Sequence, residues 1–250
     1  LNAFATAGQI MGFHTGTIVQ AESPNQLKGV IAHEIGHLAG GHPVRSGEMN
    51  RAGMRPFLLT LGLGVLAAVA GAPDAGAALL GSSGYFGTLG ALKFSREQEG
   101  RADQAAATYL EATGQSGRGL VDFFENYRYQ EVFSEAKRFP YFVSHPLSGD
   151  RIQNLRTRVA EAKYYTATDS AQDVQRLAIA KAKLEGFLNS PQQTFVQYKE
   201  TDTSFPARYA RAIAYYRATD TDKALKALDA LLAEQPDNPY LWELKGQVLF

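Results

Sequence analysis

The segment GVIAHEIGHLAGGH, residues 29–42, constrains this chain most tightly, because on a helix its first two histidines project together. The helix has strong local support. Ser23 stands as N-cap, Pro24 at the first helical position and Gln26 at the capping-box position. Leu27, Val30, Ile31, Ile35 and Leu38 recur at helical spacing, and Gly40, Gly41 and Pro43 end the run. His33 and His37, four apart, lie about 40° apart around the axis and project together. Both imidazoles can then serve one metal ion. Glu34 is displaced enough to miss that ion and near enough to act as base on a water beside it, the arrangement of an H-E-x-x-H metal helix.

A catalytic zinc takes three protein ligands and keeps one open position. The chain of 250 residues contains no cysteine, so thiolate ligands, disulfides and a cysteine nucleophile are excluded, and the third ligand must be His, Asp or Glu. Two candidates compete. His42 would suit a longer histidine pattern, with Gly40 at its glycine position, but that pattern needs its third histidine at 43, which is proline. Glu99 in EGRAD is the stronger candidate. Ser95 and Gln98 mark a helix start before it, and Asp103 lies four residues on, on the same face. Glu99 can ligate the metal while Asp103 accepts from a ligand histidine's other nitrogen and fixes its tautomer.

The remaining chain divides by composition. The opening run NAFATAGQIMGFHTGTIVQA reads as short strands with a tight turn, which puts His14 on a strand in a structural role. Residues 56–92 carry one charge, Asp74. Their part at 57–72 is apolar but short and glycine-rich, which leaves open a buried or lid helix, a peripheral membrane contact and a true span. Residues 118–140 are aromatic-rich and helical, and HPLSGDRI leads into a further helix. From residue 164 the chain turns to alanine-rich amphipathic helices. Ala212, Tyr215, Ala224, Leu228 and Pro236 fall at tetratricopeptide positions, and Gly246 follows Ala212 by 34 residues, that repeat's period. Leu1 reads as mid-domain, so a truncated N-terminus is expected, and so are further repeats beyond Phe250. Equal numbers of acidic and basic residues give zero formal net charge, which argues against nucleic acid as a partner.

NAFA, HEIGH, SREQEGRAD and SHPLSGDRI occur in the order seen in a known family. Over roughly residues 1–160 the chain resembles the zinc metallopeptidases of the HtpX and CAAX prenyl protease family, and the repeats narrow the likeness to its BepA-like branch. The resemblance implies an α+β, gluzincin-type metallopeptidase domain, mainly α with a small β-sheet, at 1–163, followed by an all-α repeat region at 164–250. It implies His33, His37 and Glu99 as ligands of one zinc ion, Glu34 as general base and Asp103 as support. His145 matches a histidine-proline element, either donating to a developing oxyanion or filling the metal's open position and holding the enzyme shut. The implied activity is endopeptidase cleavage of unfolded or misassembled envelope proteins in the periplasm. The repeats would recruit a polypeptide client or the outer-membrane protein assembly machinery. The rival is a repeat-based scaffold or chaperone whose peptidase site stays closed.

Overall fold

The structure, a computed structural model, describes residues 2–133, 145 and 147–250. Two short antiparallel strands, β1 (Ala3–Thr6) and β2 (Ile10–Phe13), pair in the register Ala3↔Phe13 to Thr6↔Ile10. The three residues between them turn the chain with Gly8 and Gln9 both at positive φ. The strand reading fails beyond that point. His14 lies past the end of β2, and Thr15–Gln20 forms a short helix, α1, rather than a strand. Burial of Thr17 and packing against a later helix decide that conformation where local pattern does not.

Helix α2 (Pro24–Ala39) begins at the expected proline and carries HEIGH. Gly41, at φ 66, turns the chain into a 3₁₀ turn, His42–Val44. Helices α3 (Ser46–Val69) and α4 (Pro73–Ala112) then form a long hairpin about Gly71, whose φ is 91. The start expected at Ser95 is absent: α4 runs unbroken for 40 residues from Pro73. The reason is tertiary. α3 packs along α4, so contacts between the two hold turns that the local sequence would have ended.

α5 (Arg118–Phe133) follows; its expected continuation to residue 140 lies outside the described residues. α6 (Gly149–Ala160) starts under a Ser148 cap, whose hydroxyl accepts from the Arg151 amide. Val30, Ala106, Leu110, Leu120, Phe123, Phe124, Leu155 and Val159 close the core among α2, α4, α5 and α6. Two glycines set how near α2 comes to its neighbours. A Cβ on Gly36 would lie 2.8 Å from the Ala102 carbonyl oxygen, and one on Gly29 would lie 2.7 Å from the Leu120 Cβ. The first of these contacts brings the HEIGH turn against the Glu99–Asp103 turn.

This first compact unit comprises residues 1–14 and 25–168, and the second comprises 15–24 and 169–250. In the second, α7 (Ala171–Leu188), α8 (Pro191–Gln197), α9 (Phe205–Arg217), α10 (Thr221–Glu234) and α11 (Pro239–Leu249) follow one another. Ala212, Ala224 and Leu228 are fully buried between α9 and α10, with Tyr215 packed beside them. Small residues stand where the helices approach most closely, which is why the repeat needs them at those positions.

Candidate metal centre

Four side chains converge below α2. His33 Nε2 and His37 Nε2 are 3.0 Å apart. Glu99 on α4 presents Oε2 3.4 Å from His33 Nε2 and Oε1 3.3 Å from His37 Nε2. His145 presents Nδ1 3.1 Å from Glu99 Oε2 and 3.4 Å from His33 Nε2. All four residues are buried, and one donor atom from each lies within 4.8 Å of every other. A tetrahedral ion with bonds near 2.05 Å would separate its donor atoms by about 3.3 Å. The observed spacings centre on that value, so the donor set fits a small divalent cation.

Outer partners fix the histidines. His33 Nδ1 faces Asp103 Oδ1 at 3.0 Å, as the spacing of EGRAD suggests. A proton held on Nδ1 by that carboxylate would turn the Nε2 lone pair towards a bound metal. His37 Nδ1 lies 2.8 Å from His42 Nδ1. His42 is not among the four clustered donors; following the left-handed Gly41, it meets His37 through that ring's other nitrogen. His14 takes no part in the centre. It packs edge-on to the Phe4 ring.

Arg151, which no spacing in the sequence singles out, bridges the two carboxylates of the site. It donates from Nε to Asp103 Oδ2 at 2.8 Å and from Nη2 to Asp103 Oδ1 at 2.9 Å. Its Nη1 lies 3.0 Å from Glu99 Oε2, and the guanidinium rests over the Phe124 ring. The sequence held one signal for it: an arginine three residues after the Ser148 cap sits in a first helical turn, where the helix dipole disfavours a cation. Such a residue needs an anionic partner from elsewhere.

Charge in this pocket is balanced by close pairing. Burial pushes Glu99 and Asp103 towards the neutral form, but hydrogen bonds from His145, His33 and His37 to Glu99, and from His33 and Arg151 to Asp103, outweigh it and hold both carboxyls below their usual range. Burial likewise disfavours a charged His33, yet the Asp103 and Glu99 carboxylates raise it to about 9. Burial and the neighbouring His33 lower His37, and burial beside His37 drives His42 down to about 4. His42 is thus a neutral acceptor for a proton on His37 Nδ1 near neutral pH. Glu34 differs from all of these. It is fully buried, neither carboxylate oxygen has a hydrogen-bond partner among the described residues, and His145 Nε2 lies 3.5 Å from its Oε1. A carboxylate buried without hydrogen bonds is expensive, and such a group is placed for chemistry rather than stability.

The helical fold with a small sheet carries a buried cluster of three histidines and a glutamate that could hold a metal ion. A family comparison assigns the class. Residues 1–159 match Peptidase family M48, and the chain belongs to that family. Residues 197–248 match a tetratricopeptide repeat. The chain is 30% identical to the putative beta-barrel assembly-enhancing protease of Vibrio cholerae, over 96% of its own length and 50% of the relative's. It is 26% identical to the beta-barrel assembly-enhancing protease of Escherichia coli K12, over 99% and 51%. Metalloprotease LoiP of the same strain is 32% identical over 64% and 59%. The chain thus spans about half the length of the assembly-enhancing relatives it matches.

Proposed function

We propose that this chain is a zinc metalloendopeptidase that cleaves unfolded or misassembled envelope proteins, with His33, His37 and Glu99 holding one zinc ion. The observation that carries the reading is the convergence of those three buried donors beside Glu34, a buried carboxylate without a hydrogen bond. When bound, zinc supplies Lewis-acid polarisation of the scissile carbonyl and acidifies water. Glu34 accepts the proton of the attacking water and passes it to the leaving amine nitrogen. Asp103 orients His33, His42 orients His37, and Arg151 joins Glu99 to Asp103. The outer edge of β2 is a candidate for taking an extended substrate as a further strand, which reads main chain more than side chains.

The domain division proposed is a peptidase domain at 1–163 and a repeat region at 164–250. A groove of about 780 Å³, lined by residues including Ile179, Lys183, Tyr209, Pro236 and Tyr240, is a candidate client or partner surface within the repeat unit. The names of the relatives favour outer-membrane protein assembly as the setting and the periplasm as the compartment. A second reading, a repeat scaffold with a closed peptidase site, is favoured by His145, which completes a fourth donor position and contacts Glu34.

Casein hydrolysis by zinc-loaded wild type, His145→Ala and Glu34→Gln tests these readings together. The peptidase reading expects cleavage that Glu34→Gln abolishes. Cleavage only after His145→Ala would mean that the histidine holds the site shut. No cleavage by wild type or His145→Ala would sink the peptidase reading.

A further inference from the structure

The α3–α4 hairpin leaves an apolar surface that the peptidase chemistry does not use. Between residues 56 and 92 the only charged side chain is Asp74, at the turn. Leu58, Leu59, Val65, Leu66 and Val69 on α3, with Tyr85 and Phe86 on α4, are exposed, Leu59 and Leu66 by 67% and 65%. The helix Gly47–Val69 is long and apolar enough to cross a membrane, and little of it is buried. A soluble surface helix would alternate polar and apolar faces; here the outer face is apolar as well.

Two further features point to lipid as the surrounding medium. Each serine and threonine hydroxyl within the segment, Thr60, Ser82, Ser83 and Thr88, donates to a carbonyl of its own helix. These four hydroxyls are thus satisfied within their own helices, as hydrocarbon requires, and the exposed Asp74 lies at the hairpin tip beside Gly71. The base of the hairpin is also collared by charge. Gly53 lies against the Gly87 carbonyl and Gly90 against that of Ala52, which sets Arg51 and Arg55 at the height of Tyr85–Leu92, with Lys93 and Arg96 just beyond. All four basic side chains are exposed. The nearby acids Glu48 and Glu97 face Arg45 at 3.0 Å and Lys93 at 4.0 Å. A basic and aromatic collar around an apolar rod is the pattern of a bilayer interface facing anionic headgroups. From Arg55 to the Gly71 turn the rod rises about 24 Å, against a hydrocarbon core of about 30 Å.

We infer that residues 56–92 insert as a helical hairpin into an anionic phospholipid bilayer, with Arg51, Arg55, Lys93 and Arg96 at its headgroups. This extends the contact suggested by 57–72 alone to both helices and assigns the lipid charge. It does not depend on peptide hydrolysis. The close glycine contacts, Gly64 against the Gly76 carbonyl among them, let the two helices enter as one body.

Flotation of the full chain with phosphatidylcholine vesicles, with and without one third phosphatidylglycerol, tests the inference. It is run in the Glu34→Gln background so that catalysis cannot affect the result. The chain should float with the mixed vesicles. Leu59→Glu combined with Leu66→Glu should lower the bound fraction by about a hundredfold. Replacing the four collar residues with glutamine should lower it by about tenfold for mixed vesicles and leave binding to neutral ones unchanged. Helical circular dichroism and zinc content should be the same in every variant, since all six positions are exposed. Absence of flotation, or flotation indifferent to the glutamates, overturns the inference. So does a dimer in light scattering that the glutamates dissolve, which would assign the face to a second copy of the chain.

Discussion

Replacing Arg151 with methionine keeps much of its apolar stem and removes the guanidinium that joins Asp103 to Glu99. Three contacts at 2.8, 2.9 and 3.0 Å are lost from a side chain that is only 7% exposed. Two buried carboxylates keep their charge and lose their cation, a situation that costs about 3–5 kcal/mol. At a urea slope of about 2 kcal/mol/M, the midpoint of the peptidase unit should fall by roughly 1.5–2.5 M. Arg151→Lys retains the charge but not the fork, and should lose about 1–2 kcal/mol. The probe must be chosen with care. The single tryptophan, Trp242, lies in α11 of the repeat unit, so its fluorescence does not report on this site. Hydrogen exchange of α5 amides, followed by mass spectrometry across the urea series, does. The same variant should weaken zinc binding by about 10–100-fold in a chelator competition, because Glu99 and Asp103 lose their orientation. A loss below about 1 kcal/mol, with unchanged zinc affinity, would refute the clamp. So would simple additivity with Asp103→Asn in a double-mutant cycle.

Further outcomes follow from the same geometry. Glu34→Gln should remove hydrolysis, retain zinc and raise the thermal midpoint, because an amide costs less than a carboxylate to bury without hydrogen bonds; a lower midpoint in calorimetry would contradict this. His42→Ala should weaken zinc binding about 10–100-fold while leaving one ion per chain at saturation, as read by titration calorimetry. Gly36→Ala forces a methyl against the Ala102 backbone and should cost about 1–3 kcal/mol in denaturation, with a parallel loss of zinc affinity. His42 has its folded pKa depressed to about 4, so the unfolded chain binds its proton first. Its contribution to stability is therefore whole above about pH 6.5 and lost as pH falls towards 4. His42→Asn should flatten that part of the stability profile in urea titrations.

The legible parts of this chain were those with a local physical signature. Pro24, the apolar period and the glycine pair located α2, and the four-residue spacings of His33/His37 and Glu99/Asp103 placed each pair on one helix face. What escaped depended on contacts distant in sequence. Ser95 carries the marks of a helix start, yet α4 passes through it because α3 supports the preceding turns. Thr15–Gln20 looks extended by composition and is helical because it packs on α7. His42 is only five residues from His37, but its place beside that ring rests on the left-handed turn at Gly41; the glycine marked the helix end without showing where the next side chain would go. Arg151 lies in a stretch whose order was recognised, and its clamp spans 48 residues, beyond the reach of any periodicity.

The ligand set is the centre of the account, and zinc content measured by mass spectrometry on wild type, Glu99→Ala and His42→Ala addresses it directly. The expected result is one zinc per chain in wild type and in His42→Ala, and none in Glu99→Ala. Zinc retained by Glu99→Ala and lost from His42→Ala would contradict the assignment of Glu99 as the third ligand.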